Sequence, residues 1–140
     1  MITRIGGQAP WEARYGYCRV VRAGRWALTA GTTATGPDGV LHRGDAYGQT
    51  IAAFDIALRA LSEAGVSADD VVRTRMYVTD ISQQEAVGRA HSELFGQIRP
   101  VATMIEVSAL ADPDHLVEVE VEAYLSNGPG DVAALSNFPA

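Results

Sequence analysis

Three features of the sequence predict an α+β fold in which one mixed sheet carries two helices on one face. His115 to Leu125 alternates apolar and polar residues. Ile51, Phe54, Leu58 and Leu61 recur at intervals of three and four. Segments of these two periodicities follow one another along the chain.

Tyr17 to Arg22 and Arg25 to Ala30 are rich in strand formers and meet at Ala23-Gly24, the pattern of two antiparallel strands around a tight turn. Gly36-Pro37-Asp38-Gly39 reads as a turn, since proline presets φ and glycine admits a positive one. Asp45 to Ala64 is the first helix, closed by Gly65. Val71 to Val78 is a strand with Val72, Thr74, Met76 and Val78 on one side and Val71, Arg73, Arg75 and Tyr77 on the other. Ser82-Gln83-Gln84-Glu85 has capping-box form, and Val87, Ala90, His91, Leu94 and Phe95 give the second helix its apolar stripe up to Gly96. Pro100 opens a strand through Val107, and His115 to Leu125 is the last one. The predicted order is β-β-α-β-α-β-β, one domain over residues 1–125 followed by a Gly/Pro-containing tail, 126–140.

Composition narrows the function. The chain has 140 residues, 47% hydrophobic and 20% charged, the balance of a globular protein that needs no disulfide or structural metal. Cys18 is the lone cysteine, and His42, His91 and His115 lack metal-ligand spacing, so no metal site is expected. A net charge of −6 repels phosphate backbones and anionic lipid heads, and this disfavours nucleic acid and membrane as partners. With neither a membrane-span run nor a signal-peptide core, the expected location is cytoplasmic. All eleven basic residues are arginines, which excludes lysine Schiff bases, pyridoxal-phosphate attachment and a P-loop lysine.

The last strand sets Val117, Val119, Val121 and Ala123 on one face and Glu118, Glu120 and Glu122 on the other. The glutamate row is either simply solvated or covered by other copies of the chain, with Arg73 and Arg75 neutralising it. Strand parity assigns Met104, Glu106 and Ala102 to this same helix-free side.

The residues that follow carry a resemblance. They are Gly16-Tyr17, Gly24, Thr29-Ala30-Gly31-Thr32-Thr33, Gln49-Thr50, Leu61-Ser62-Glu63-Ala64-Gly65, Asp70-Val71-Val72, Tyr77-Val78-Thr79-Asp80, Pro100-Val101-Ala102-Thr103 and Val119-Glu120-Val121-Glu122-Ala123. In order and spacing the set resembles the Rid (reactive intermediate deaminase) family, also called YjgF-type and often labelled endoribonuclease L-PSP. The resemblance implies a chorismate-mutase-like fold and a homotrimer whose sheets close into a barrel, with clefts between neighbouring subunits. It also implies hydrolysis of enamines and imines without metal or cofactor.

The family signature Pro-Ala-Arg-Ser/Thr places a carboxylate-clamping arginine where this chain has Ala102, within Pro100-Val101-Ala102-Thr103. Losing a bidentate guanidinium from a desolvated site costs about 3–5 kcal/mol, so typical imine deamination is expected to be weak or absent. Glu120 best matches the family's water-orienting glutamate, with Glu118 as the register alternative. By the same resemblance the ligand cleft contains Tyr17, Gly31, Thr32, Arg89, Ala102, Thr103, Met104 and Glu118. Arg75, Arg89 and Arg99 are the candidates to replace the missing arginine.

Three functions follow. The first is a Rid-like homotrimer whose clefts bind a small metabolite, deficient in typical 2-imino acid deamination. The second is a cofactor-independent hydrolase of enamines, imines or related carbonyl compounds that uses Glu120 to activate water. The third is a protein-interaction role, for which no specific motif is present. Ribonuclease activity is disfavoured by the acid excess and the lack of a basic aromatic groove. Cys18 reads as a small apolar group, His91 as a hydrogen-bonded core or interface histidine, His115 as a turn residue, Trp26 as a packing residue, and Trp11 as either a packing residue or part of the cleft entrance.

Overall fold

The computed structural model describes residues 1–126. Two elements precede those expected from the sequence, strand β1 (Ile2–Ile5) and the short helix α1 (Pro10–Tyr15). Neither carries a periodic signal. Strand β1 is four residues long and largely exposed, and it is ordered by pairing with β2. Helix α1 opens on Pro10, whose fixed φ suits a first helical turn. The chain leaves α1 through Gly16 at φ +78, a left-handed conformation that glycine adopts without strain.

The predicted hairpin is present as β2 (Val20–Ala23) and β3 (Trp26–Thr29); β2 starts three residues later than expected and runs one further, and β3 is one residue shorter at each end. Short strands β4 (Thr32–Thr33), β5 (Thr35–Gly36) and β6 (Gly39–Val40) follow, and the Pro37-Asp38 turn joins the last two. Helix α2 (Ala46–Glu63) begins where the Asp45 carboxylate accepts from the Gly48 N–H at 2.9 Å, and it ends at Gly65, φ +77. Strand β7 (Val71–Val78), helix α3 (Gln84–Phe95), strand β8 (Val101–Glu106) and strand β9 (Val117–Tyr124) complete the described chain. The tail from Ser126 to Ala140 lies, from position 127 on, outside the described residues.

One mixed sheet runs β1-β2-β3-β9-β7-β8, with β4 also paired to β9; β7 and β8 are parallel and the other pairs antiparallel. The parallel pair is the reason α3 lies between those strands, because a parallel return needs a crossover. Val117, Val119, Val121 and Ala123 of β9 are fully buried beneath α2 and α3, together with Phe54, Leu61, Val87 and Phe95. Buried alanines at 53 and 57 let α2 approach the sheet closely.

Two local expectations are corrected. Ser82 does not cap α3. The Asp80 carboxylate takes both the Ser82 N–H (2.9 Å) and its hydroxyl (2.7 Å), opening a tight turn at Ile81–Gln83 before the helix starts at Gln84. A carboxylate outcompetes a hydroxyl for these donors, and they hold the Asp80 carboxyl below its ordinary range. On β7, Val72 is exposed and Val71 buried, the reverse of the expected parity. A register shift between Val71 and Arg73 inserts one residue, and alternation holds from Thr74 onward.

His91 is half-buried against the core and hydrogen-bonded. Its Nε2 lies 2.8 Å from the Thr74 hydroxyl, and its ring packs on Phe54 and Phe95. Burial disfavours the imidazolium and lowers its pKa. The unfolded chain therefore binds the proton more readily than the native one. This group's contribution to stability is complete above the unfolded value near 6.5 and is lost as pH falls from there through the lower folded value. Urea midpoints measured from pH 7.5 to 5.5 should fall more for the wild type than for His91→Gln.

Candidate functional site

The helix-free face of the sheet carries a ladder of opposite charges across β7 and β9. Cross-strand register sets Arg73 beside Glu122, Arg75 beside Glu120 and Tyr77 beside Glu118. Glu122 takes both arginines, Arg75 Nη1 at 2.8 Å and Arg73 Nε at 3.7 Å. The ion pair holds the Arg75 guanidinium above its usual range. A hydrogen bond to Glu120 likewise raises the Tyr77 phenol. Glu120 is thus gripped by a phenol at the middle of the ladder.

Glu118 stands at the end of the row in a different setting. It is half-buried, and burial, followed by repulsion from Glu120, raises its pKa; His115 and Arg19 act in the opposite direction. Gly31 makes room for it, since a Cβ there would lie 3.0 Å from the Glu118 carboxyl carbon. Arg19 Nη1 donates to the Gly31 carbonyl at 2.8 Å and to the buried Thr32 hydroxyl at 2.9 Å, and its guanidinium lies 5.7 Å from the Tyr17 ring centroid. His115, expected as a turn residue, also sets its Nε2 3.0 Å from the Thr35 hydroxyl.

The structure therefore gathers Tyr17, Gly31, Thr32 and Glu118 around Arg19, with Glu120 next in the row. Thr103 pairs with Arg75 and shares this face. Ala102, Met104 and Glu106 do not. They pair with Thr74, Met76 and Val78, all buried on the helix side, so the parity expected for them is corrected. Alternation gives the period of a strand, but the phase of β8 is fixed by its parallel register with β7. Met104 instead lines an open depression with Gln84, Glu85 and Arg89 of α3.

The three candidate replacement arginines have separate engagements. Arg75 is on the ladder. Arg89 lies 4.2 Å over the Tyr47 ring and 4.0 Å from Glu93, which also accepts from the Tyr47 hydroxyl. Arg99, in a left-handed turn at φ +58, donates from Nε to the Gly96 carbonyl at 2.8 Å. Arg19, Tyr77 and His115 were not among the expected cleft residues. Arg19 stands in a bend just before β2, so alternation from Tyr17 does not assign its side. Among the described residues no group of three or more His, Cys, Asp or Glu side chains is arranged to hold a metal ion. Among these residues no helix is long and apolar enough to cross a membrane.

A mixed sheet with two helices packed on one face is the fold this chain shares with solved YjgF-type proteins. Over 89% of this chain and all of the other, the structure superposes on Rv2704 of Mycobacterium tuberculosis, a member of the YjgF/YER057c/UK114 family, with a TM-score of 0.82 and 43% identity. A Rid-family protein from Yersinia pestis gives 0.78 at 28% identity, covering 89% of this chain and 100% of that one. Among curated sequences, a Streptomyces coelicolor protein is 43% identical over 88% of this chain and 92% of its own length. A RutC family protein of Pyrococcus abyssi is 32% identical over 77% and 85%. The family described as Endoribonuclease L-PSP matches residues 6–125, and the chain belongs to it.

Proposed function

We propose that the chain assembles as a homotrimer and binds a small metabolite in clefts between subunits, without typical 2-imino acid deamination. The observation that carries this reading is Ala102, which stands where the family signature has its carboxylate-clamping arginine. The helix-free face supports assembly. It joins a half-buried charge ladder to exposed Trp26, Leu28, Val101 and Ile105, a mixture that suits a polar interface with apolar contacts.

The test is to generate 2-aminoacrylate with a serine dehydratase and follow pyruvate release with and without this protein. The expected result is no acceleration over the spontaneous rate. Acceleration equal to that given by an arginine-bearing relative would overturn the reading.

Glu120 favours a second reading, hydrolysis of an imine, enamine or related carbonyl compound that lacks the usual carboxylate. Held by Tyr77 and next in the row to Glu118, whose pKa burial raises, it is placed to act as a general base on water.

A further inference from the structure

We propose that Arg19 is the anion anchor of this cleft, the residue that selects ligands carrying a small carboxylate. The inference deepens the metabolite-binding reading and rests on it.

Arg19 is the guanidinium in direct contact with the residues gathered at the Glu118 end of the ladder. Its backbone is clamped on both sides, the N–H donating to the Ile5 carbonyl at 2.9 Å and the carbonyl accepting from the Ala30 N–H at 2.9 Å. Its side chain is clamped as well. Nη1 is occupied by the Gly31 carbonyl and the Thr32 hydroxyl, while Nε and Nη2 carry no hydrogen bond among the described residues. A guanidinium fixed through one nitrogen, with its other donors unspent, is preorganised for a planar two-oxygen acceptor. Little side-chain freedom remains to be lost on binding. The exposed Tyr17 ring beside it supplies a flat wall for the body of the ligand.

The charges nearby permit an anion to enter. Arg73 and Arg75 are spent on Glu122, and Tyr77 holds Glu120. Glu12, whose carboxylate would crowd a Cβ on Gly7 close to the Arg19 stem, is already bound by the Gly7 N–H at 2.8 Å. Glu118 is the remaining carboxylate toward Arg19, with His115 on its other flank, and its burial favours the protonated form. A ligand carboxylate on Arg19 balances the charge of that guanidinium.

The experiment compares butyrate with butyramide, two ligands of the same shape that differ in charge, by ligand-observed NMR titration of the full chain. Wild type should prefer the acid by about tenfold or more, and Arg19→Gln should reduce that preference to near unity. Arg19→Lys keeps a donor for Gly31 and should retain only part of the preference, which covers the case of a glutamine variant that fails to fold. A preference that survives in Arg19→Gln, or no preference in the wild type, overturns the anchor and leaves metabolite binding standing. No binding of either probe to the wild type overturns both.

Discussion

Phe54→Ala is expected to destabilise the native chain by about 3–5 kcal/mol, the range for truncating a fully buried aromatic. The side chain is 0% exposed and stands edge-on to Phe95 at 5.1 Å and to His91 at 5.7 Å between centroids. The cavity would not close easily. The neighbours at 53 and 57 are buried alanines with no side-chain length to move into the space, and His91 is tied to Thr74. Leu58→Ala, one turn further along α2 and only partly buried, should cost less than half as much. Urea denaturation at one fixed protein concentration checks both, since any oligomer links apparent stability to concentration. A Phe54→Ala loss below about 1.5 kcal/mol would mean that the core repacks, contrary to this account.

What the sequence made legible follows from where burial is periodic. Strand β7 and helix α2 were readable to within a residue or two at their ends, because each buries one face over many residues. Strand β1 and helix α1 were not, because β1 is a short, largely exposed edge strand, α1 buries only Glu12, and neither carries a pattern. The Ser82 motif misled for a physical reason: three residues of spacing cannot reveal that a stronger acceptor, Asp80, stands two positions earlier. The bulge at Val71 is likewise a property of pairing with β9, invisible in β7 alone.

The candidate site divides in the same way. The glutamate row of β9 was legible because alternation defines its side, and Tyr17, Gly31 and Thr32 came from the family pattern. The facing of Ala102 and Met104 was misread because it depends on strand register, a contact between residues 28 apart such as Met76 and Met104. Arg19 was overlooked because its role comes from Gly31 and Thr32, which reach it across the sheet rather than along the chain. Chemistry carried by one strand can thus be read from sequence, whereas chemistry assembled between strands needs the register.

Leu28→Glu is expected to break the proposed trimer while leaving the protomer folded. Leu28 lies on the helix-free face directly across from Glu122 and is 40% exposed in the single chain, so a glutamate there meets water and displaces no core side chain. In the trimer the same residue would be buried against a neighbour, and each new carboxylate would join an acidic row whose arginines are already engaged. Burying an uncompensated charge at an interface costs about 2–5 kcal/mol per site, and a symmetric trimer meets that cost at every interface. Assembly should weaken by at least about three decades, or about 4 kcal/mol. Light scattering at micromolar concentration should then read three chains for the wild type and one for Leu28→Glu, with matching far-ultraviolet circular dichroism. Leu28→Met, which keeps volume and apolarity, should remain trimeric. A wild-type mass of one chain would remove the shared cleft itself. A trimeric Leu28→Glu would move the interface off this face and return the glutamate ladder to solvent.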